Sequence, residues 1–148
     1  MPDMVIIIGI QGSGKSTFHA AKYPDYTRIN LDTLRTRKKE KDALRLAISR
    51  KENIIIDNTN PTKADRVKYI EVGKASQYKI TGCFMESEPE DCIERNNNRT
   101  GKEKIPVVAI YKTWEKLEKP NYEEGFDELF FVQITDEGFQ VSKWEEFT

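Results

Sequence analysis

The chain has 148 residues, a formal net charge of −1 and charged side chains at 33% of its positions. This length fits one ordinary domain, and this composition excludes a disordered tail. No apolar run approaches the length of a membrane span, and the opening "MPDMVIIIG" does not resemble a signal peptide. We therefore expect residues 1–148 to form a single domain in the cytoplasm, without membrane contact. The two cysteines, Cys83 and Cys92, lack metal or redox spacing and are expected to be reduced thiols.

Apolar stretches alternate with helical patterns along the chain. Five stretches are typical of buried strands: "MVIII", "YTRINL", "NIIID", "YKITGCFM" and "ELFFVQI". A sixth, "FQVSKW", either pairs as an edge strand or lies loose. The alternation predicts an α/β fold with a five-stranded parallel sheet and helices on both faces. In such sheets ligands bind beyond the carboxyl ends of the strands.

The helices are predicted from spacing and caps. One opens on the glycine loop after the first strand, and a long one runs from Asp32 to about Arg50. Asn60-Pro61 predicts the start of a third, and the capping-box spacing of Ser87 and Glu90 predicts a fourth near Glu88. Pro106 opens the last one, whose apolar stripe comprises Val107, Ile110, Tyr111, Trp114 and Leu117.

The first strand runs directly into "GIQGSGKST", from Gly9 to Thr17. Its residues satisfy the pattern G-x-x-x-x-G-K-[ST] of a phosphate-binding loop between a strand and a helix. We expect backbone N–H groups to cradle phosphates, Lys15 to reach the β- and γ-phosphates and Ser16 to ligate Mg²⁺. The predicted phosphate-binding set is Gly9, Gly12, Ser13, Gly14, Lys15, Ser16 and Thr17.

Two aspartates follow strands at the ligand edge. Asp57 closes "IIID" and is predicted to hold Mg²⁺ directly or through Ser16 and water. Asp32 closes "INLD" and either takes the proton of an acceptor hydroxyl or caps the following helix. Arg35, one helical turn later, is a candidate anchor for an anion on the acceptor. Asn58 either contacts the acceptor or caps the next helix.

Basic residues form two further features. Arg95 and Arg99, spaced i, i+4 on one predicted helix before a break at "TGKEK", suit a lid over a triphosphate. The segment from Arg35 to Lys51 contains only two acids, Glu40 and Asp42. Its bases predict either a polyanion site or a solvated helix face: Arg35, Arg37, Lys38, Lys39, Lys41, Arg45, Arg50 and Lys51.

The run "GSGKST…INLDTLR…IIIDNTNP…RNNNRTGKEKIP" resembles the P-loop 5′-hydroxyl polynucleotide kinase family, over about Met4 to Phe126. The resemblance implies a P-loop kinase fold whose parallel strands are ordered 2-3-1-4-5. It also implies ATP as donor, Mg²⁺, and the 5′ end of DNA or RNA as acceptor. It implies that Asp32 is the general base and that Arg35 contacts the phosphate beside the accepting nucleotide. It also implies that Arg99, supported by Arg95, contacts the triphosphate.

Two features separate this chain from the family pattern, and two other functions are alternatives. Leu31 stands where many members have arginine, and no D-x-D-x-[TV] phosphatase motif is present, which predicts a kinase alone. A kinase for a small-molecule hydroxyl (a nucleoside, sugar or antibiotic) is the nearest alternative, and it would need no long basic surface. A nucleotide-dependent switch is a third hypothesis, and it would not need Asp32 for turnover.

Overall fold

A computed structural model describes residues 1–99 and 104–145 of the chain. Its six strands form one sheet in the order β2-β3-β1-β4-β5-β6. The first five are parallel, which confirms the α/β class and the predicted order 2-3-1-4-5. The strands are β1 (Asp3–Ile8), β2 (Thr27–Ile29), β3 (Ile54–Ile56), β4 (Lys79–Met85), β5 (Glu128–Thr135) and β6 (Gly138–Lys143).

The sheet has one strand more than the five that were expected, and the alternative that "FQVSKW" pairs as an edge strand is confirmed. The segment "FQVSKW" contributes β6, which pairs antiparallel with β5. A tight turn makes this pairing possible, because Gly138 follows it with a φ of 111°, a region that glycine adopts without strain. The sheet is therefore mixed, with an antiparallel strand on its outer edge.

The helices flank this sheet. They are α1 (Lys15–Lys22), α2 (Leu31–Leu34), α3 (Arg37–Ser49), α4 (Lys63–Ala75), α5 (Pro89–Asn97) and α6 (Val107–Lys116), with a 3-10 turn at Tyr122–Glu124. None of the helices in residues 1–99 and 104–145 combines the length and hydrophobicity needed to cross a bilayer. The break predicted at "TGKEK" lies largely outside the described residues.

Alternating residues of β1 build two cores on opposite faces of the sheet. Met4, Ile6 and Ile8 pack with residues of α3 and α4, whereas Val5 and Ile7 pack with Phe18 of α1. Burial on both faces explains why β1 and β3 are continuous apolar runs without the alternation of a half-exposed strand. The rigid central strands hold the loops at their carboxyl ends in place.

Several predicted helix boundaries are wrong for identifiable reasons. The stretch from Asp32 to Arg50 is two helices, because Arg35 has a φ of 74° and Thr36 caps α3 by accepting from the Lys39 N–H. Thr62, not Asn60, caps α4 in a capping box with Asp65. The start of α5 next to Glu88 is confirmed, but Ser87 makes no capping bond to it; the Ser87 hydroxyl instead donates to the Met85 carbonyl.

The apolar stripe predicted for α6 is only partly buried. Ile110 is fully buried, whereas Val107, Tyr111 and Trp114 are 43%, 37% and 45% exposed. Thr113 takes a buried place on the inner face, where its hydroxyl accepts from the Gln11 side chain in the phosphate-binding loop. The helix thus contacts the glycine loop through a polar residue that the apolar pattern did not single out.

Candidate functional site

A cavity of about 940 Å³ lies beyond the carboxyl ends of β1, β3 and β2. It brings together eight of the predicted site residues: Gly12, Lys15, Ser16, Thr17, Asp32, Asp57, Asn58 and Arg99. The other five are not part of its wall: Gly9, Ser13, Gly14, Arg35 and Arg95. Because β3 lies between β1 and β2, Asp57 stands between the glycine loop and Asp32.

The glycine loop takes the conformation that its residue types allow. Gly12 and Gly14 have φ values of 81° and 93°, where a side chain would be strained. A Cβ on Gly12 would also collide with the carbonyl oxygen of Cys92 in α5. The loop therefore rests directly on α5, and only glycine permits this approach.

Arg95 supports the loop from α5. Its Nη1 donates to the Gly12 carbonyl at 2.7 Å, so its side chain is directed at the backbone of the loop. The expectation that Arg95 and Arg99 share one helix face is wrong, because α5 ends at Asn97. Arg99 follows the helix, and its side chain lines the cavity.

Lys15 carries the positive charge at the bottom of the cavity. Its Nζ donates to the Ile10 carbonyl at 3.0 Å. Burial lowers the pKa of Lys15 to about 8, an effect opposed by the negative charges of Asp57 and Asp32 and reinforced by Arg99. An ammonium held in this way is poorly solvated and well suited to receive a phosphate oxygen.

Ser16 and Asp57 present oxygen ligands side by side. The Ser16 hydroxyl donates to Asp57 Oδ2 at 3.3 Å, and Asp57 is 1% exposed. Among the described residues, Asp57 Oδ1 is buried and has no hydrogen-bond partner. A hydroxyl, a carboxylate and an unsatisfied carboxylate oxygen fit Mg²⁺, which prefers oxygen ligands and completes its shell with phosphates and water.

Arg28 was missed by the sequence reasoning. It lies in β2, and its guanidinium contacts both oxygen ligands: Nε donates to Asp57 Oδ2 at 2.7 Å and Nη2 donates to Ser16 Oγ at 2.9 Å. One arginine in a three-residue strand gives little signal. Only its position two strands from the glycine loop would have suggested this contact.

Asp32 projects into the cavity from α2. It is exposed, and it does not cap its helix, because Asn30 accepts from the Thr33 N–H instead. The alternative that Asp32 serves as a helix cap is therefore wrong. Arg35 is the C-terminal cap of α2, outside the helix, so the argument from a shared helix face does not hold for it.

The segment after β3 ties the strand ends together. Asn58 accepts from the Leu31 N–H at 2.8 Å, next to Asp32, and Asn60 donates to the Ile7 carbonyl at 2.8 Å. The Thr59 carbonyl accepts from the Gly9 N–H at 3.0 Å. These side chains do not cap α4; they fix the distance between the glycine loop and the α2 turn.

A buried glutamate organises the far wall of the cavity. Glu40 of α3 accepts from the Tyr69 hydroxyl at 2.9 Å, from Arg37 at 3.1 Å and from the Asn58 amide at 3.0 Å. Lys68 Nζ lies 3.9 Å from the same carboxylate. We call Glu40, Arg37, Asn58, Lys68 and Tyr69 the Glu40 network.

The Glu40 network holds two cations at the cavity wall. The side chains of Arg37 and Lys68 remain 61% and 50% exposed, so they are available to an anion. Burial, followed by the charge and hydrogen bond of Glu40, raises the pKa of Tyr69 well above its usual value, which keeps that hydroxyl a donor. The sequence did contain a signal, since Glu40, Leu44 and Ala47 share one helical face and are all buried.

We expect Glu40→Gln to lower the free energy of unfolding by about 1–3 kcal/mol, because glutamine replaces one accepting oxygen with a donor facing the Asn58 amide. Urea unfolding monitored by circular dichroism measures this. Glu71→Gln, at an exposed position of α4, is the matched control. Equal losses in the two variants would show that the Glu40 network does not stabilise the fold.

Two curated relatives are similar to this chain over most of its length. One is the bifunctional polynucleotide phosphatase/kinase of Schizosaccharomyces pombe, 29% identical over 154 residues, covering 97% of this chain and 37% of that protein. The other is a provisionally named bifunctional polynucleotide phosphatase/kinase of Acanthamoeba polyphaga mimivirus, 31% identical, covering 86% of this chain and 32% of that protein. The chain spans about a third of the length of these relatives. The resemblance noted from the motifs is confirmed.

Solved protein structures share this fold as well. A gluconokinase from Sinorhizobium meliloti 1021 superposes with a TM-score of 0.64 at 21% identity, covering 91% of this chain and 84% of that structure. At this identity the likeness shows a shared fold. A family model described as an AAA domain matches residues 40–120, more than half of the chain. Together with the glycine loop that precedes this match, it shows that the chain belongs to the AAA domain family of P-loop proteins.

Proposed function

We propose that this chain is a 5′-hydroxyl polynucleotide kinase that transfers the γ-phosphoryl group of ATP to the 5′ end of DNA or RNA. The observation that carries the proposal is the shared cavity. Its wall brings together the lysine of the glycine loop, the exposed carboxylate of Asp32 and two cations next to Glu40. Similarity to two proteins named for polynucleotide kinase activity supports the acceptor class.

The order of strand ends supports a transfer reaction. From β1 through β3 to β2, the cavity presents Lys15, then Asp57, then Asp32. Neighbouring strands are about 4.8 Å apart, so the end of β2, which leads into the turn carrying Asp32, is about two strand spacings from the end of β1, which leads into the glycine loop. A hydroxyl placed between them can accept the phosphoryl group while Asp32 receives its proton.

In the proposed reaction the acceptor 5′ oxygen forms a bond to the γ-phosphorus. The hydroxyl proton passes to the Asp32 carboxylate, and the bond from the γ-phosphorus to the β–γ bridging oxygen breaks, releasing ADP. Lys15 and Arg99 stabilise charge on the transferring group and the leaving phosphates. Mg²⁺, held by Ser16 and Asp57, would neutralise further charge on the phosphates. The protein acts by positioning and electrostatics, without a covalent enzyme intermediate.

The acceptor strand is proposed to run along the α3 side of the cavity. Arg37 and Lys68 stand next to Asn58, whose side chain holds the turn that carries Asp32. The other seven basic residues from Arg35 to Lys51 are exposed as well. Phosphates next to the reacting 5′ end would meet Arg37 and Lys68 first, with Arg35 further out, and binding would weaken with salt.

The proposal covers residues 1–148 as one kinase domain in the cytoplasm. Support for this compartment comes from Cys83 and Cys92, which are unpaired and buried. Burial raises the pKa of the Cys83 thiol to about 12 and also raises that of Cys92, so both are protonated and unreactive at neutral pH.

An acceptor panel tests the proposal. ADP release is followed with ATP and Mg²⁺ in the presence of a 5′-hydroxyl DNA strand, the matching RNA strand, the same strands already 5′-phosphorylated, a nucleoside and gluconate. We expect stimulation by the 5′-hydroxyl strands alone. Stimulation by a small hydroxyl compound instead would favour the small-molecule kinase, and ADP release indifferent to every acceptor would favour a nucleotide-dependent switch.

Charge reversal on α3 separates the first two hypotheses further. We expect Lys38→Glu, Lys39→Glu and Lys41→Glu combined to raise the KM for an oligonucleotide about tenfold or more at low salt, and to flatten its salt dependence, with little change in kcat. Steady-state kinetics at two salt concentrations measures this. The control reverses three exposed lysines on other elements, Lys22, Lys112 and Lys143. Equal effects in both triple variants would contradict a local polyanion site.

A further inference from the structure

Arg28 occupies two of the three oxygen atoms that the metal site offers, and Asp57 Oδ1 is the third. Its Nε is 2.7 Å from Asp57 Oδ2 and its Nη2 is 2.9 Å from Ser16 Oγ, so one guanidinium spans both. The Arg28 side chain is 31% exposed and lines the cavity, whereas the Asp57 side chain is 1% exposed. The pair therefore joins a buried carboxylate to a cation that has access to the cavity.

We propose that Arg28 competes with Mg²⁺ for Ser16 and Asp57, and so sets how much Mg²⁺ the protein needs to bind a nucleotide. This inference rests on one part of the proposed function, the assignment of Ser16 and Asp57 as ligands of nucleotide-bound Mg²⁺. It does not depend on the identity of the acceptor.

The competition follows from charge and from the number of oxygen atoms available. A buried carboxylate without a cation is costly, and the Arg28 guanidinium offsets that cost through a charge-assisted hydrogen bond. A divalent ion that binds Asp57 Oδ1 together with the Ser16 hydroxyl supplies more charge, but it must displace the Arg28 N–H from Ser16 Oγ and would repel the guanidinium. Either cation by itself stabilises the buried carboxylate, and the presence of one weakens the binding of the other.

The position of Arg28 gives the displaced group a place to go. Because the side chain already lines the cavity, a rotation about its own bonds takes it off Asp57 without moving β2. It would then face the same space as Lys15 and Arg99, where nucleotide phosphates are expected. Metal binding and the release of a cation toward the phosphates would thus be coupled.

The test measures nucleotide binding, with no acceptor present. Fluorescent ADP is titrated with the full chain at a series of Mg²⁺ concentrations, and the Mg²⁺ concentration giving half of the affinity gain is recorded. For Arg28→Met, which keeps the apolar stem and removes the charge, we expect this concentration to fall about tenfold. Lys143→Gln, which removes an exposed charge at the far edge of the sheet, should leave it unchanged.

Arg28→Lys provides a second variant if the methionine variant folds poorly. It retains the charge but cannot bridge two oxygen atoms with a rigid fork, so we expect an intermediate Mg²⁺ requirement. Thermal unfolding in EDTA gives an independent readout: removing the guanidinium should lower the Tm of Arg28→Met by about 3–6 °C, and Mg²⁺ with ADP should restore it.

A Mg²⁺ requirement that is unchanged or higher in Arg28→Met would overturn the proposal. An unchanged requirement would show that Arg28 does not compete with Mg²⁺, and a higher one would show that Arg28 holds Ser16 and Asp57 in place for the metal. Failure of the proposed function looks different. In that case the chain would bind Mg²⁺ and ADP, and show the Arg28 effect, while releasing no extra ADP with a 5′-hydroxyl strand.

Discussion

Replacing Asp32 with asparagine is expected to lower kcat for phosphoryl transfer by about 100- to 10,000-fold, because the amide cannot accept the hydroxyl proton. Asparagine keeps the shape of the side chain. Within residues 1–99 and 104–145, Asp32 does not cap α2 and makes no hydrogen bond to the glycine loop. The affinity for ATP should therefore remain near its original value. Rapid-quench kinetics for kcat and fluorescent-nucleotide titration for binding measure the two quantities separately.

Asp42→Asn, at an exposed position of α3, is the matched control and should retain full activity. Two results would contradict the role of Asp32 as the base. One is a kcat within a few-fold of the original. The other is a loss of ATP affinity as large as the loss of activity, which would show that Asp32 supports the donor site.

The second large effect concerns Lys15. Lys15→Met is expected to lower kcat/KM by about 100- to 1,000-fold, because the transferring phosphoryl group would lose a fixed positive charge next to it. The position of this charge is fixed, because Lys15 Nζ donates a hydrogen bond to the Ile10 carbonyl in the cavity. Lys22→Gln, at an exposed position on the same helix, should leave kcat/KM unchanged.

Lys15 also predicts a pH dependence of nucleotide binding. Burial lowers its pKa to about 8, so in the free protein it is mostly charged at pH 7 and mostly neutral at pH 9. A phosphate binds the charged form, and above pH 8 the protein must take up a proton to bind it. The affinity for ADP without Mg²⁺ should then fall by up to about tenfold per pH unit.

Titration of fluorescent ADP from pH 6.5 to 9.5 in EDTA measures this dependence, and Lys15→Met should abolish it. The same depressed pKa makes the folded state bind fewer protons than the unfolded chain between pH 8 and 10.5. The contribution of Lys15 to the free energy of unfolding is therefore fully present above pH 10.5 and is lost as the pH falls through 8. A flat affinity across pH 7–9 in the unaltered chain would contradict the assignment.

The features that sequence determines locally were predicted well. The apolar runs of β1 and β3, the glycine loop and the aspartates after β2 and β3 all follow from short-range rules about burial and strand ends. The order of the parallel strands followed from the family resemblance and the alternation of elements. These predictions needed no knowledge of which side chains meet across the cavity.

The contacts that tune the site could not be predicted in this way. Arg28 meets Ser16 and Asp57 only because three separate strands end at one edge, and no spacing in the sequence encodes that meeting. The break between α2 and α3 depends on a positive φ at Arg35, a conformation that is uncommon for arginine and that the sequence therefore does not predict. Glu40 is one of only two acids among the many bases of its segment, and its helical register with Leu44 and Ala47 is the signal that indicates its burial.

The most direct test of the central claim is the fate of the γ-phosphoryl group. The chain is incubated with Mg²⁺, γ-labelled ATP and a 5′-hydroxyl oligonucleotide, with the 5′-phosphorylated copy of the same strand in a parallel reaction. Nuclease digestion of the product then locates the label. We predict label on the 5′-terminal nucleotide of the first strand, none on the second, and none in the Asp32→Asn variant. ATP binding without label on either strand would show that the cavity serves a different acceptor.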